Sequence, residues 1–149
     1  MKKLLASLFL GTVMLSGCNP EQAEIQKAED IEGSEVLERV RPAPSGGTSA
    51  AYFTYKNELS EADTLLSVSS NVSGMAQVHE SYEAEGGMMG MREQEQIILQ
   101  PGDSVQFQQG GLHIMLMSLS KDLVAGDSTE IQLEFARAGT IKKTIVVSQ

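Results

Sequence analysis

Between Ala50 and Gln149 turn-forming residues recur so often that no long helix can be placed there. Asn57 to Asp63, Gly86-Gly87, Pro101-Gly102-Asp103, Gly110-Gly111 and Ala138-Gly139 each break the chain. The pieces left between them are short and rich in β-formers: Ala51 to Tyr55, Leu65 to Val68, Met75 to Ser81, Met88 to Arg92, Ile97 to Leu99, Val105 to Phe107, Leu112 to Leu119, Ile131 to Phe135 and Ile141 to Val147. Short strands at this spacing predict an all-β antiparallel sandwich or barrel, and a Greek-key sandwich of about 100 residues is the economical solution. A nucleotide-binding α/β fold is excluded because no Gly-rich loop joins a strand to a helix. With no Trp, four Phe and three Tyr, the core is expected to be built from Val, Ile, Leu and Met.

The amino terminus reads as an address. Lys2 and Lys3 precede an uncharged apolar run, Leu4 to Leu15, shorter than the about 20 residues a spanning helix needs and fitting a secretory signal. It ends in Leu15-Ser16-Gly17-Cys18, which resembles a bacterial lipobox. Residues 1–17 are therefore expected to be a lipoprotein signal peptide, with Cys18 lipidated. Residues 18–35, rich in Glu, Gln, Ala and Lys, are expected to form a linker, and 36–149 the domain. Val36, Leu37 and Val40 are candidates for a first strand, and Pro42 to Gly47 for a loop. This places the protein outside the cytoplasm, tethered by lipid. Asn19 favours the outer membrane if the host is Gram-negative. The lone cysteine is consumed by lipid, leaving no disulfide and no thiolate ligand. With 11 Lys and Arg against 20 Asp and Glu, nucleic acid is not an expected partner.

Chemistry concentrates in the middle of the domain. The only two histidines, His79 and His113, share it with six of the eight methionines. Neutral imidazole is a good ligand for copper, and thioethers select Cu(I) over hard cations. Side chains at i and i+2 of a strand point the same way, 6.6–6.8 Å apart along the chain, so His113 and Met115 can serve one ion. Met117 and Leu119 are expected on that same face, with Ile114, Leu116 and Ser118 on the other, as in a strand apolar on both sides. A return past Gly86-Gly87 would bring Met91 towards His79. Met75, Met88, Met89 and Met117 read as core filler, with Met88 and Met89 as substitutes for Met91. Glu80, Glu83, Glu85, Glu93 and Glu95 are expected to flank the site as a solvated rim or an acidic collar. Imidazole binds metal only as the free base, so affinity is expected to weaken below roughly pH 6.

In order, His79, eleven residues, Met91, twenty-one residues, His113, one residue and Met115 resemble the signature of the periplasmic PCu(A)C copper chaperones. GMAQVHESYEAEGGMMGMR and PGDSVQFQQGGLHIMLMSL resemble that family too, and the likeness runs from Val36 to Val147. The resemblance implies a cupredoxin-like β-sandwich holding Cu(I) through His79, Met91, His113 and Met115, not an enzyme. It further implies delivery to the copper subunit of cytochrome c oxidase, alongside a Sco-type protein. Many relatives carry Met directly after the first histidine where this chain has Glu80. The rival expectation is a copper or silver scavenging lipoprotein with no client.

Overall fold

Alternation along each strand decides which face is buried, most regularly in Ile131-Gln132-Leu133-Glu134-Phe135, where the three apolar residues are buried and the two polar ones are not. The computed structural model describes residues 37–149. The expected signal peptide, Cys18, the linker and Val36 lie outside the described residues.

Among the described residues ten strands form two antiparallel sheets. The first has the order β1 (Arg39–Val40), β2 (Thr48–Lys56), β8 (Leu112–Leu119), β4 (Ser73–Glu83), β5 (Met89–Glu93), and β2 also pairs with β7 (Ser104–Phe107). The second has the order β10 (Gly139–Val146), β9 (Ser128–Phe135), β3 (Asp63–Ser70), β6 (Ile97–Leu99). No α-helix occurs among the described residues, and none of their helices is long and apolar enough to cross a membrane. The Greek-key sandwich expected from the turn spacing, cupredoxin-like as the resemblance implies, is the fold observed. Each expected strand is present within three residues of its reading. The first, however, is reduced to Arg39–Val40, because Pro42 ends it. The Gly86-Gly87 turn is a single 3-10 turn with φ of +80° and +77° at the two glycines, values that only glycine adopts without strain.

The two sheets close over Val, Ile, Leu and Phe. Phe53 and Phe107 meet at 5.0 Å between ring centroids in the first sheet, and Tyr55 stacks across on Phe135 of the second at 4.5 Å. Methionine is absent from this core among the described residues. Met75, Met88, Met89 and Met91 are exposed, and Met115 and Met117 are half-buried. The expectation that Met75, Met88, Met89 and Met117 fill the core is thus corrected. The reason is parity: in β8 the inward positions belong to Ile114 and Leu116, both fully buried, so His113, Met115 and Met117 point out of the sandwich. The strand is apolar on both sides, yet only one side is interior.

Leu119 also departs from expectation. It lies in the core, on the side opposite Met117. Ser118 between them has φ of +54°, a left-handed conformation that breaks the two-residue alternation and turns Leu119 inward. A non-glycine residue held there costs on the order of 1 kcal/mol, set against the roughly 1.5–3 kcal/mol of burying a leucine.

Asp63 at the start of β3 locks the loop after β9. Its buried carboxylate accepts the backbone N–H groups of Thr64 (2.8 Å), Arg137 (2.8 Å) and Ala138 (2.9 Å). Burial opposes ionisation, but the N–H groups of Ala138, Thr64 and Arg137 and the Arg137 charge outweigh it and hold the carboxyl below its usual range. A depressed folded-state value adds stability that is present above the unfolded carboxylate range and lost as pH falls through the folded value. Asp63→Asn should therefore lower stability at neutral pH by about 2 kcal/mol and flatten the acid limb of the stability curve. Chemical denaturation of both proteins at neutral and acid pH measures this.

Candidate metal centre

Because β8 is central, with β2 on one side and β4 on the other, its outward residues Met115 and Met117 have register partners on both flanks and His113 has one on β4. The register places His113 directly opposite His79, Met115 between Ala50 and Gln77, and Met117 between Thr48 and Met75. On the far side of β4, β5 places Glu93 opposite His79 and Met91 opposite Ser81. All four expected donors therefore lie on the outer face of the first sheet.

The two imidazoles meet edge to face, 6.1 Å between centroids at 69°. Met91, His113 and Met115 line one open cleft of about 330 Å³, walled by Tyr52, Arg41 and the Gln109-Gly110 turn. Small residues make the room: Ala50 and Ser81 are part of its lining, and Gly111, whose carbonyl accepts the Ser81 N–H at 3.1 Å, carries no side chain. His79 stands beside this cleft, against the His113 ring. The structure thus brings the four together across three strands. Met91, on an edge strand, is the most exposed of them at 59%.

Both rings are poised to offer a lone pair. His113, only 6% exposed, has Nδ1 3.0 Å from the carbonyl oxygen of Gly111. A carbonyl only accepts, so the proton is on Nδ1 and Nε2 carries the lone pair. A ring N–H given to a backbone carbonyl is the usual way a metal-binding histidine is oriented. His79 Nε2 lies 3.2 Å from Gln77 Oε1, and its Nδ1 is buried with no hydrogen-bond partner. Leaving such an atom unpaired costs about 1–3 kcal/mol, a cost that a metal bond would remove. Two imidazole nitrogens and two thioethers without a thiolate suit Cu(I), so the residues present fit a soft monovalent cation.

Glu80 is not part of this face. It projects from the other side of β4, where Arg92 pairs with it at 2.7 Å and Gln94 donates to it at 2.9 Å. A methionine at position 80 would share that orientation, so the difference from many relatives removes no sulfur from the cleft. Of the five expected flanking carboxylates, Glu93 and Glu83 share the donors' face by register, Glu93 beside His79. Met89 shares it as well, one step beyond Met91, whereas Met88 lies in the turn before the strand.

Gln77 and Ser81 escaped the sequence reading. They are two residues either side of His79, so strand parity alone places them on its face. Neither is a soft donor, which is why a search for ligands passes over them.

Residues 34–147 match the family model described as "Putative lipoprotein LpqE-like". The chain is 27% identical over 138 residues to "Putative lipoprotein Lxx21020" of Leifsonia xyli subsp. xyli, covering 91% of this chain and 81% of the relative. Among solved structures, the copper-bound PCuAC domain from PmoF2 is similar with a TM-score of 0.59 and 24% identity, over 74% of this chain and 86% of that one. The Cu(I) form of DR1885 from Deinococcus radiodurans is similar with a TM-score of 0.50 and 21% identity, over 80% and 82%. The fold is that of PCuAC domains.

The hydrogen bond to Gly111 makes one direct prediction. Long-range nitrogen–proton NMR of the metal-free protein should show neutral His113 as the Nδ1–H tautomer. An Nε2–H pattern would remove the free lone pair from the cleft.

Proposed function

This chain belongs to the LpqE-like family of lipoproteins, and from that premise we propose that it is an extracytoplasmic copper carrier, tethered by lipid on Cys18. One Cu(I) ion is its cargo, held by His79, Met91, His113 and Met115. The observation that carries the reading is the direct pairing of His79 with His113 on an outward face, with one ring nitrogen buried and unpartnered. The copper-bound PCuAC domain from PmoF2 has the same fold, which supports the choice of metal.

The residues bind and release rather than transform. Imidazole and thioether donors satisfy a soft cation, and no further histidine remains to act as a base. The cleft opens to solvent and one donor sits on an edge strand. A recipient's ligands can then replace those of the carrier one at a time, with no free ion in between. In this reading the recipient is the copper subunit of cytochrome c oxidase, approached together with a Sco-type protein.

A Cu(I) titration of the full chain in detergent, against a calibrated competitor, should show one tight equivalent at these four donors. His113→Ala and Met91→Ala should each weaken it by about tenfold or more, or 1.4 kcal/mol. Met88→Ala should leave it unchanged, and so should Glu80→Met, which removes the Arg92 pair and the Gln94 hydrogen bond on the other side of β4. Binding indifferent to His113→Ala and Met91→Ala would reduce the likeness to fold alone. In cells, deletion should impair oxidase assembly. Lost copper or silver tolerance with the oxidase intact would instead identify a scavenger without a client.

A further inference from the structure

We infer that the outer face holds a second soft-cation site, made by Met75 and Met117 with Met115 beside them, and that it takes a monovalent d10 cation such as Cu(I) or Ag(I). The register is the ground for it. Met75 and Met117 are direct partners across β4 and β8, and directly opposed residues on one face have Cβ atoms about 4.5–5.5 Å apart. Each side chain has three rotatable bonds and ends in a polarisable sulfur, so the two can close on one ion from either side. Met115 is diagonal to Met75, about 7–8 Å away at Cα and within reach of a long side chain.

Packing does not explain these residues. Met75 is 54% exposed and Met117 is half-buried, on the face turned away from the core. The part of each side chain left in water gains nothing from the burial that normally selects methionine. Ser118 supplies an independent mark. Its left-handed backbone, φ of +54°, sends Leu119 inward, so the outward alternation of His113, Met115 and Met117 stops at Met117. On its other flank stands Thr48, and no carboxylate is among its register partners to favour a hard cation.

The site is distinct from the four donors in composition, having sulfur only. It does not depend on the reading of His79 and His113. Along β8 it lies two steps of about 6.6–6.8 Å each from His113, with Met115 midway. A cation leaving one site finds its next donor one step away.

The test uses the full chain in detergent with carbon-13 methionine methyl groups, titrated with Ag(I), which has the same electron configuration and no redox chemistry here. Single Met→Leu substitutions, close in volume, assign the signals. Two equivalents are expected, one moving Met91 and Met115 and the other moving Met75 and Met117 together. Met75→Leu should abolish the Met117 shift, reduce the stoichiometry by one and leave the Met91 shift in place. His113→Ala should leave the Met75 and Met117 shifts in place. The inference is overturned if both of these methyl groups stay still through the second equivalent, or if the Met117 shift survives Met75→Leu. Silence of Met91 and Met115 alone would overturn the four-donor carrier and leave the thioether pair standing.

Discussion

The register of β8 between β2 and β4 is the constraint on which the outward face depends. A slip of one residue would exchange the two faces of the strand, sending His113, Met115 and Met117 inward and exposing Ile114 and Leu116. Those two are fully buried, each worth about 1.5–3 kcal/mol in the core. Burying an imidazole among aliphatic groups without a partner would add to the cost of slipping. The hydrophobic effect on one side of the strand thus sets the position of every donor on the other side. No contact between the donors themselves is needed to hold them in place.

This arrangement divides the side chains by chemistry. The interior uses Val, Ile, Leu and three Phe, whose packing is stiff and specific. The adaptable thioethers are kept outside it, where a change of rotamer disturbs nothing structural. Polar hubs complete the framework at the ends of the sandwich. Asn57, 1% exposed, donates to the carbonyls of Glu61, Leu99 and Gln100 and accepts from Leu59, and Asp63 secures the loop before β10. Every one of these hydrogen bonds lies outside the cleft, so framework and binding surface are energetically separate.

The strands were legible because Gly, Pro, Asn and Asp mark their ends and β-formers fill them. His113 and Met115 were legible as neighbours because a two-residue spacing has one meaning in a strand. Which side of β8 is interior was not, since Leu112 to Leu119 is apolar on both sides and periodicity offers no preference. Only the packing of the second sheet against Ile114 and Leu116 decides it. Leu119 was unreadable for a different reason: a left-handed residue at Ser118 resets the alternation, and serine gives no warning of it. Glu80 could have been placed. Adjacent residues of a strand face opposite ways, so a neighbour of His79 belongs to the other side.

Position within the sheet also ranks the donors by mobility. His113 sits on β8, which has β4 and β2 on its two flanks, and is clamped through Nδ1 to Gly111, whereas Met91 rides on β5, which among the described residues has β4 on one side and no strand on the other. Edge segments open at a smaller free-energy cost than central ones. Any ion gripped by this face would therefore be surrendered in sequence, loosening first at the Met91 margin and last at His113. The sandwich works as a hinge-free latch whose free margin is the side of the β4–β5 hairpin.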